Sequence, residues 1–161
     1  MVIKIISSFG EVIMATGIVR LHRVLRCDPD RIYRAFLDPR ALAKWLPPHG
    51  FVCEVAQLDA RQGGIFRMAF THLASGHGHA FWGEYLELAP GQTIRHTDHF
   101  DDPGLPGEMV TTVRLREVQV GTELSIVQEG IPEAIPVEAC YLGWQESLGL
   151  LAQLVEAEVP A

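Results

Sequence analysis

Few residues of this 161-residue chain have the types and spacing that chemistry needs. His96 and Asp98 stand two apart in Thr93–Phe100 (TIRHTDHF), where strand alternation puts them on one face with Ile94 and Phe100. An imidazole oriented by a neighbouring carboxylate can act as a general base, so this pair is the catalytic candidate, for proton transfer. The same parity in Thr16–Cys27 (TGIVRLHRVLRC) sets Arg23 beside Leu21 and Leu25. Polar groups on an apolar face need partners. Arg23, His96 and Asp98, with Tyr85, are therefore read as the polar contacts of a mostly apolar pocket. Two blander readings stand beside this one. The groups could pair for stability alone, or a strand bulge could turn them to solvent.

Other reactive residue types form no such constellation. The chain has seven histidines, but His77 and His79 sit beside a Gly-rich turn with no Cys or Glu at a zinc-like spacing, and His96 and His99 face opposite ways on a regular strand. No metal site is expected, and no cofactor, since phosphate loop, dinucleotide fingerprint and serine nucleophile elbow are all missing. Cys27, Cys53 and Cys140 form no CxxC pair and are odd in number, which suits a reducing, cytoplasmic setting. A net charge of −7 argues against nucleic acid as a partner. No apolar run reaches the ~18 residues of a membrane span. The apolar N-terminal stretch is interrupted by Ser7, Ser8, Gly10 and Glu11, so residues 1–13 read as an extension and 14–161 as one domain.

Positioning these side chains falls to a simple order of elements. Thr16–Cys27 alternates as a strand. Asp28-Pro29-Asp30 and Asp38-Pro39 each offer a capping carboxylate followed by a first-turn proline, which predicts two short helices ended by Pro47-Pro48. Six strands follow at Phe51–Leu58, Ile65–Thr71, Ala80–Leu88, Thr93–Phe100, Met109–Glu117 and Thr122–Glu129, joined by turns short enough for an antiparallel meander. Val137–Ala157 reads as one long amphipathic helix with Trp144, Leu148, Leu151 and Val155 on a stripe. The fold class is therefore α+β. A curved seven-stranded antiparallel sheet grips one long C-terminal helix, a shape mismatch that leaves a hollow.

Arg23, Cys27-Asp28-Pro29 with Ile32-Tyr33, Phe36, Asp38-Pro39, Leu42–Trp45, Gly63-Gly64, Gly83 with Tyr85, Pro90 and Gly143-Trp144 together resemble the family of activators of the ninety-kilodalton heat-shock protein ATPase. The resemblance runs from Gly17 onward and implies a START-like helix-grip fold. That superfamily hosts lipid carriers, cyclases, hydrolase-like enzymes and co-chaperones, so it implies fold more than function. The first expectation is a binding module for a small hydrophobic or amphipathic molecule. Its cavity would be lined by Trp45, Phe66, Met68, Phe70, Tyr85, Val113, Ile126, Trp144 and Leu148, with Arg23, His96 and Asp98 at the ligand's polar end. The second is a cyclase- or lyase-type enzyme using His96 in the same cavity. The third is a co-chaperone-like interaction module, although the chain has no room for the extra N-terminal domain with which the eukaryotic co-chaperone clamps its partner, so no chaperone partner is expected. An exposed sheet edge or the apolar extension could support a homodimer.

Overall fold

The computed structural model describes residues 16–158 and, ahead of them, the backbone of Lys4–Ile6 (β1) and Val12–Met14 (β2), which pair as an antiparallel ribbon. The rest of the expected extension lies outside the described residues. Gly17–Leu25 (β3) leads into two helices, Pro29–Leu37 (α1) and Pro39–Trp45 (α2). Their starts are made as the acid-proline pairs predict. Asp28 accepts from the Arg31 amide at 2.8 Å and Asp38 from the Arg40 amide at 2.8 Å, each with proline in the first turn.

Strands β4 (Phe51–Leu58), β5 (Ile65–His72), β6 (Gly78–Ala89), β7 (Thr93–Phe100), β8 (Met109–Val118) and β9 (Gly121–Ile131) form a meander, and α3 (Val137–Val155) closes the chain. The sheet has seven strands in the order β3-β9-β8-β7-β6-β5-β4, all antiparallel, so β3 is the only strand that pairs out of sequence. Register shifts between Val55 and Gln57 and between Tyr85 and Glu87 bend the ribbon, as inserted residues do. Strand β6 starts at Gly78, two residues earlier than alternation alone suggests, because Gly78 pairs with Thr71 and lies so close to the Phe70 carbonyl that no Cβ would fit.

Cross-strand rungs decide what each face does. One rung runs Ile94–Val113–Ile126–Leu21, and the next Leu115–Leu124. Val113 and Ile126 are completely buried, and with Leu148, Leu151 and Val155 of the second half of α3 they form the dry core. The rung on the other side runs Tyr85–His96–Thr111–Gln128 and changes character to polar. Helix α3 therefore packs tightly along its C-terminal half, while its N-terminal half spans the polar rung.

Candidate functional site

A hollow of about 260 Å³ lies between the polar rung, the first turns of α3 and the end of α2. Phe66, Met68 and Phe70 of β5, with Phe81 of β6, form one apolar wall, and Leu42 of α2 with Leu46 just after it forms another. Ala139, Cys140, Gly143, Trp144 and Ser147 cover it from α3, residues that recur at one-turn spacing on a single helix face. Gly143 is the gap in that lid, since a Cβ built there would meet no atom within 4 Å.

The polar groups are joined. His96 Nδ1 lies 3.0 Å from the Thr97 carbonyl oxygen and 3.3 Å from Asp98 Oδ2. Thr111 Oγ1 donates to Asp98 Oδ2 at 2.7 Å and accepts from Gln128 Nε2 at 3.3 Å. Gln128 Oε1 accepts in turn from Trp144 Nε1 at 3.0 Å and from Cys140 Sγ at 3.3 Å. A line of hydrogen bonds thus crosses β7, β8 and β9 and ends on α3. Since a carbonyl and a carboxylate only accept, Nδ1 of His96 must carry hydrogen, and Nε2 is the atom that titrates.

Electrostatics follow from that arrangement. Burial opposes the charged form of His96, but the Asp98 charge and hydrogen bond, helped by the Thr97 carbonyl, outweigh it and raise the pKa above its ordinary value. Burial pushes the Tyr85 phenol up, with Asp98 and Tyr33 adding to it, so Tyr85 stays a hydrogen-bond donor. Burial lowers the His79 pKa, leaving that ring neutral among Phe51, Phe70 and Phe100. The Cys140 thiol is pushed up to about 11 by burial and by Asp98, and burial pushes Cys53 up to about 11 with help from Glu54, so neither is an activated nucleophile.

The His96 shift has a measurable consequence. Its unfolded-state pKa is about 6.5 and the folded value is higher, so the His96–Asp98 pair contributes stability fully below the unfolded value and loses it as pH rises through the folded one. An NMR titration of the ring is expected to place its pKa above that of an unstructured histidine. Asp98→Asn should drop it below the ordinary value, because burial, the largest influence, is then opposed only by the Thr97 carbonyl. A wild-type ring titrating at or under the ordinary value would contradict the pairing.

Of the side chains expected at a ligand, Phe66, Met68, Phe70, Tyr85, His96, Asp98 and Trp144 border the hollow. Val113, Ile126 and Leu148 do not. They are 0%, 0% and 1% exposed and belong to the filled core one rung away. Trp45 is also core: fully buried, it donates Nε1 to the Ala35 carbonyl at 2.9 Å and meets Phe36 edge-on at 4.7 Å. Arg23 has the inward parity but is drawn to the side of α3, where Nη2 donates to Gln145 Oε1 at 2.9 Å. These five lie outside the hollow's lining; for the three on strands, parity specifies a face and not a depth along the strand, and for Trp45 and Leu148 the helix stripe does the same.

Trp82 stands on the outer face, stacked on His99 with ring centroids 4.2 Å apart. Thr111, Gln128, His79 and Cys140 border the hollow without having been singled out. The signal for two of them was present. Thr111 shares parity with Met109 and Val113, and Gln128 shares it with Leu124 and Ile126. Among the described residues no three His, Cys, Asp or Glu side chains gather as metal ligands, and no helix is long and apolar enough to cross a membrane.

Comparison with known proteins agrees with this architecture. Protein CV1439 from Chromobacterium violaceum is 64% identical, with 88% of this chain and 98% of that chain covered and a TM-score of 0.87. A protein from Rhodobacter sphaeroides shares the fold at 22% identity and a TM-score of 0.74, covering 85% of this chain and 90% of its own. An AHSA1-like protein from Aeromonas hydrophila does so at 16% identity and a TM-score of 0.70, covering 87% and 92%. None of the curated proteins compared with the chain matches it. The family model described as Activator of Hsp90 ATPase homolog 1-like protein matches residues 26–156. With its curved sheet closed on one terminal helix, the chain belongs to that START-like, helix-grip family.

Proposed function

We propose that this chain binds a small, largely apolar molecule in the hollow between the sheet and α3, with the molecule's polar end at His96. The observation that carries this reading is the connected line His96–Asp98–Thr111–Gln128–Trp144 set into otherwise apolar walls. A few convergent polar groups in an apolar concavity are what a small-molecule site needs.

Because Trp144 borders the hollow and donates to Gln128, its fluorescence reports on occupancy. Titration of the purified chain with small aromatic probes is expected to give a saturable, single-site change in tryptophan emission. Native mass spectrometry should find one small molecule per chain where one has been carried through purification. A linear, unsaturable response to every probe would remove the reading.

A second reading, proton transfer of the cyclase or lyase type, rests on the hold on His96 Nδ1, which leaves Nε2 as a base oriented by Asp98. It predicts that His96→Gln abolishes turnover of a bound ligand while changing its affinity far less. Unaltered turnover in that variant would retire the idea.

A further inference from the structure

Counting donors and acceptors along the hollow narrows the chemistry of what fits. Asp98 Oδ2 is taken by Thr111 Oγ1 and faces His96 Nδ1, the Gln128 amide is used at both its oxygen and its nitrogen, and Ser147 Oγ donates to the Leu46 carbonyl at 2.6 Å. Among the described residues this leaves four polar groups of the lining without a hydrogen-bond partner: His96 Nε2, the Tyr85 hydroxyl, Asp98 Oδ1 and the His79 ring. His79 is neutral and enclosed by phenyl rings at the outer end. Tyr85 and His96 are direct cross-strand partners, with rings 6.0 Å apart and nearly perpendicular.

We infer that the occupant is an organic acid, an apolar body whose single carboxylic, phenolic or enolic oxygen docks between His96 Nε2 and the Tyr85 hydroxyl. The inference rests on the binding reading above and names its ligand class. Tyr85 is held protonated and so presents O–H. The raised His96 pKa favours the imidazolium, which presents Nε2–H. Two donors on paired residues of adjacent strands, both bordering the hollow, suit an acceptor oxygen, best one bearing negative charge. The proton balance closes. Either the acid gives its own proton to Nε2 and binds as the anion, or the anion binds a ring already protonated from solvent. In both cases the imidazolium lies between two anions, the ligand on Nε2 and Asp98 on Nδ1.

An ammonium ligand meets the opposite situation. The His96 imidazolium repels it, and the carboxylate that could attract it is only 9% exposed and already paired with that ring through Oδ2. Strand β7 contributes Asp98 and the Thr97 carbonyl, β6 Tyr85, β5 Phe66, β8 Thr111, β9 Gln128, α3 the un-ionised Cys140, and α1 and α2 apolar groups, with Tyr33 of α1 beyond Tyr85. Among the described residues bordering the hollow, Asp98 is the one charged partner of the ring. The size limit follows from volume. An apolar cavity of about 150 Å³ holds benzene, so this hollow takes a body of about ten non-hydrogen atoms.

Three probes of matched shape test the inference on the full chain: 3-phenylpropanoate, 3-phenylpropanamide and 3-phenylpropylamine, each titrated by tryptophan fluorescence and by calorimetry from pH 6 to pH 9. The acid is expected to bind at least tenfold tighter than the amide and the amine at the low end. Its affinity should then fall by about tenfold per pH unit above the His96 pKa, while the amide stays flat. Calorimetry in buffers of different ionisation heat should show proton uptake with the acid above that pKa. His96→Gln, with its fold checked by circular dichroism, should bring acid and amide to equal affinity. Amide or amine binding as tightly as the acid in the wild-type chain, or an acid preference independent of pH, overturns the inference and leaves the binding reading standing. Failure of all three probes to saturate sinks both.

Discussion

Gly143→Phe is expected to weaken ligand binding at least a hundredfold while leaving the protein folded. Gly143 sits in the middle of α3, on the face that covers the hollow, and a Cβ there would point into open space rather than at a neighbour. Extra bulk normally costs 1–3 kcal/mol because a packed core has nowhere to put it. Gly143 borders both the hollow and the outer groove, and a ring turned to the hollow side finds open space and takes the ligand's place. A glycine in a helix interior is also less favourable than Ala by ~1 kcal/mol, so most replacements gain helix propensity. Gly143→Ala should therefore raise stability by about 1 kcal/mol with binding largely kept, since one methyl group does not fill the space. Gly149, whose Cβ would also meet nothing, shares the outer groove of α3 with Gly143 but does not border the hollow. Gly149→Phe is the control that adds the same ring outside the hollow. Equal affinity in Gly143→Phe and wild type would mean that ligands bind elsewhere.

Trp45→Ala carries the largest expected cost in stability, about 4 kcal/mol, through the loss of a buried aromatic body and the cavity left behind. Trp45 is 0% exposed, packs edge-on against Phe36 and supplies the hydrogen bond to the Ala35 carbonyl. The substitution therefore also leaves that carbonyl without its partner in a buried place. Since α1 and α2 meet through this contact, the damage falls on the junction of the two short helices with the core. For a domain of this size the midpoint of thermal unfolding should drop by about 12 °C, followed by circular dichroism or calorimetry. Trp45→Phe should recover more than half of the loss by restoring ring packing without the indole donor. A loss under about 1 kcal/mol for the alanine variant would show that Trp45 is not the buried centre of that junction.

Much of the fold is legible because its signals are local. Capping carboxylates followed by proline mark both short helices, and Asp28 and Asp38 do accept the amide bonds such caps make. Period-two alternation assigns Phe66, Met68, Tyr85 and His96 to the concave face, where they lie, and Trp82 and His99 to the convex one. Alternation also carried Thr111 and Gln128 inward, but a polar residue at an inward position is easily passed over when apolar neighbours define the pattern. Nothing local announces that Gln128 will accept from both Trp144 and Cys140, since 16 and 12 residues of chain separate them.

The sequence by itself determined which side chains share a face of the sheet, because a strand's pleat has a period of two wherever the chain runs. It also determined that one terminal helix would have to cover that face. Only the tertiary structure decided which rungs are packed and which stay open. Val113 and Thr111 have the same parity, yet Val113 is sealed under the close-packed half of α3, while Thr111 faces the hollow beneath Gly143. That difference depends on the bend of the ribbon and the angle at which the helix lies across it. Both are set by register shifts and contacts between residues far apart in the chain, so the depth of each side chain is a property of the assembled fold.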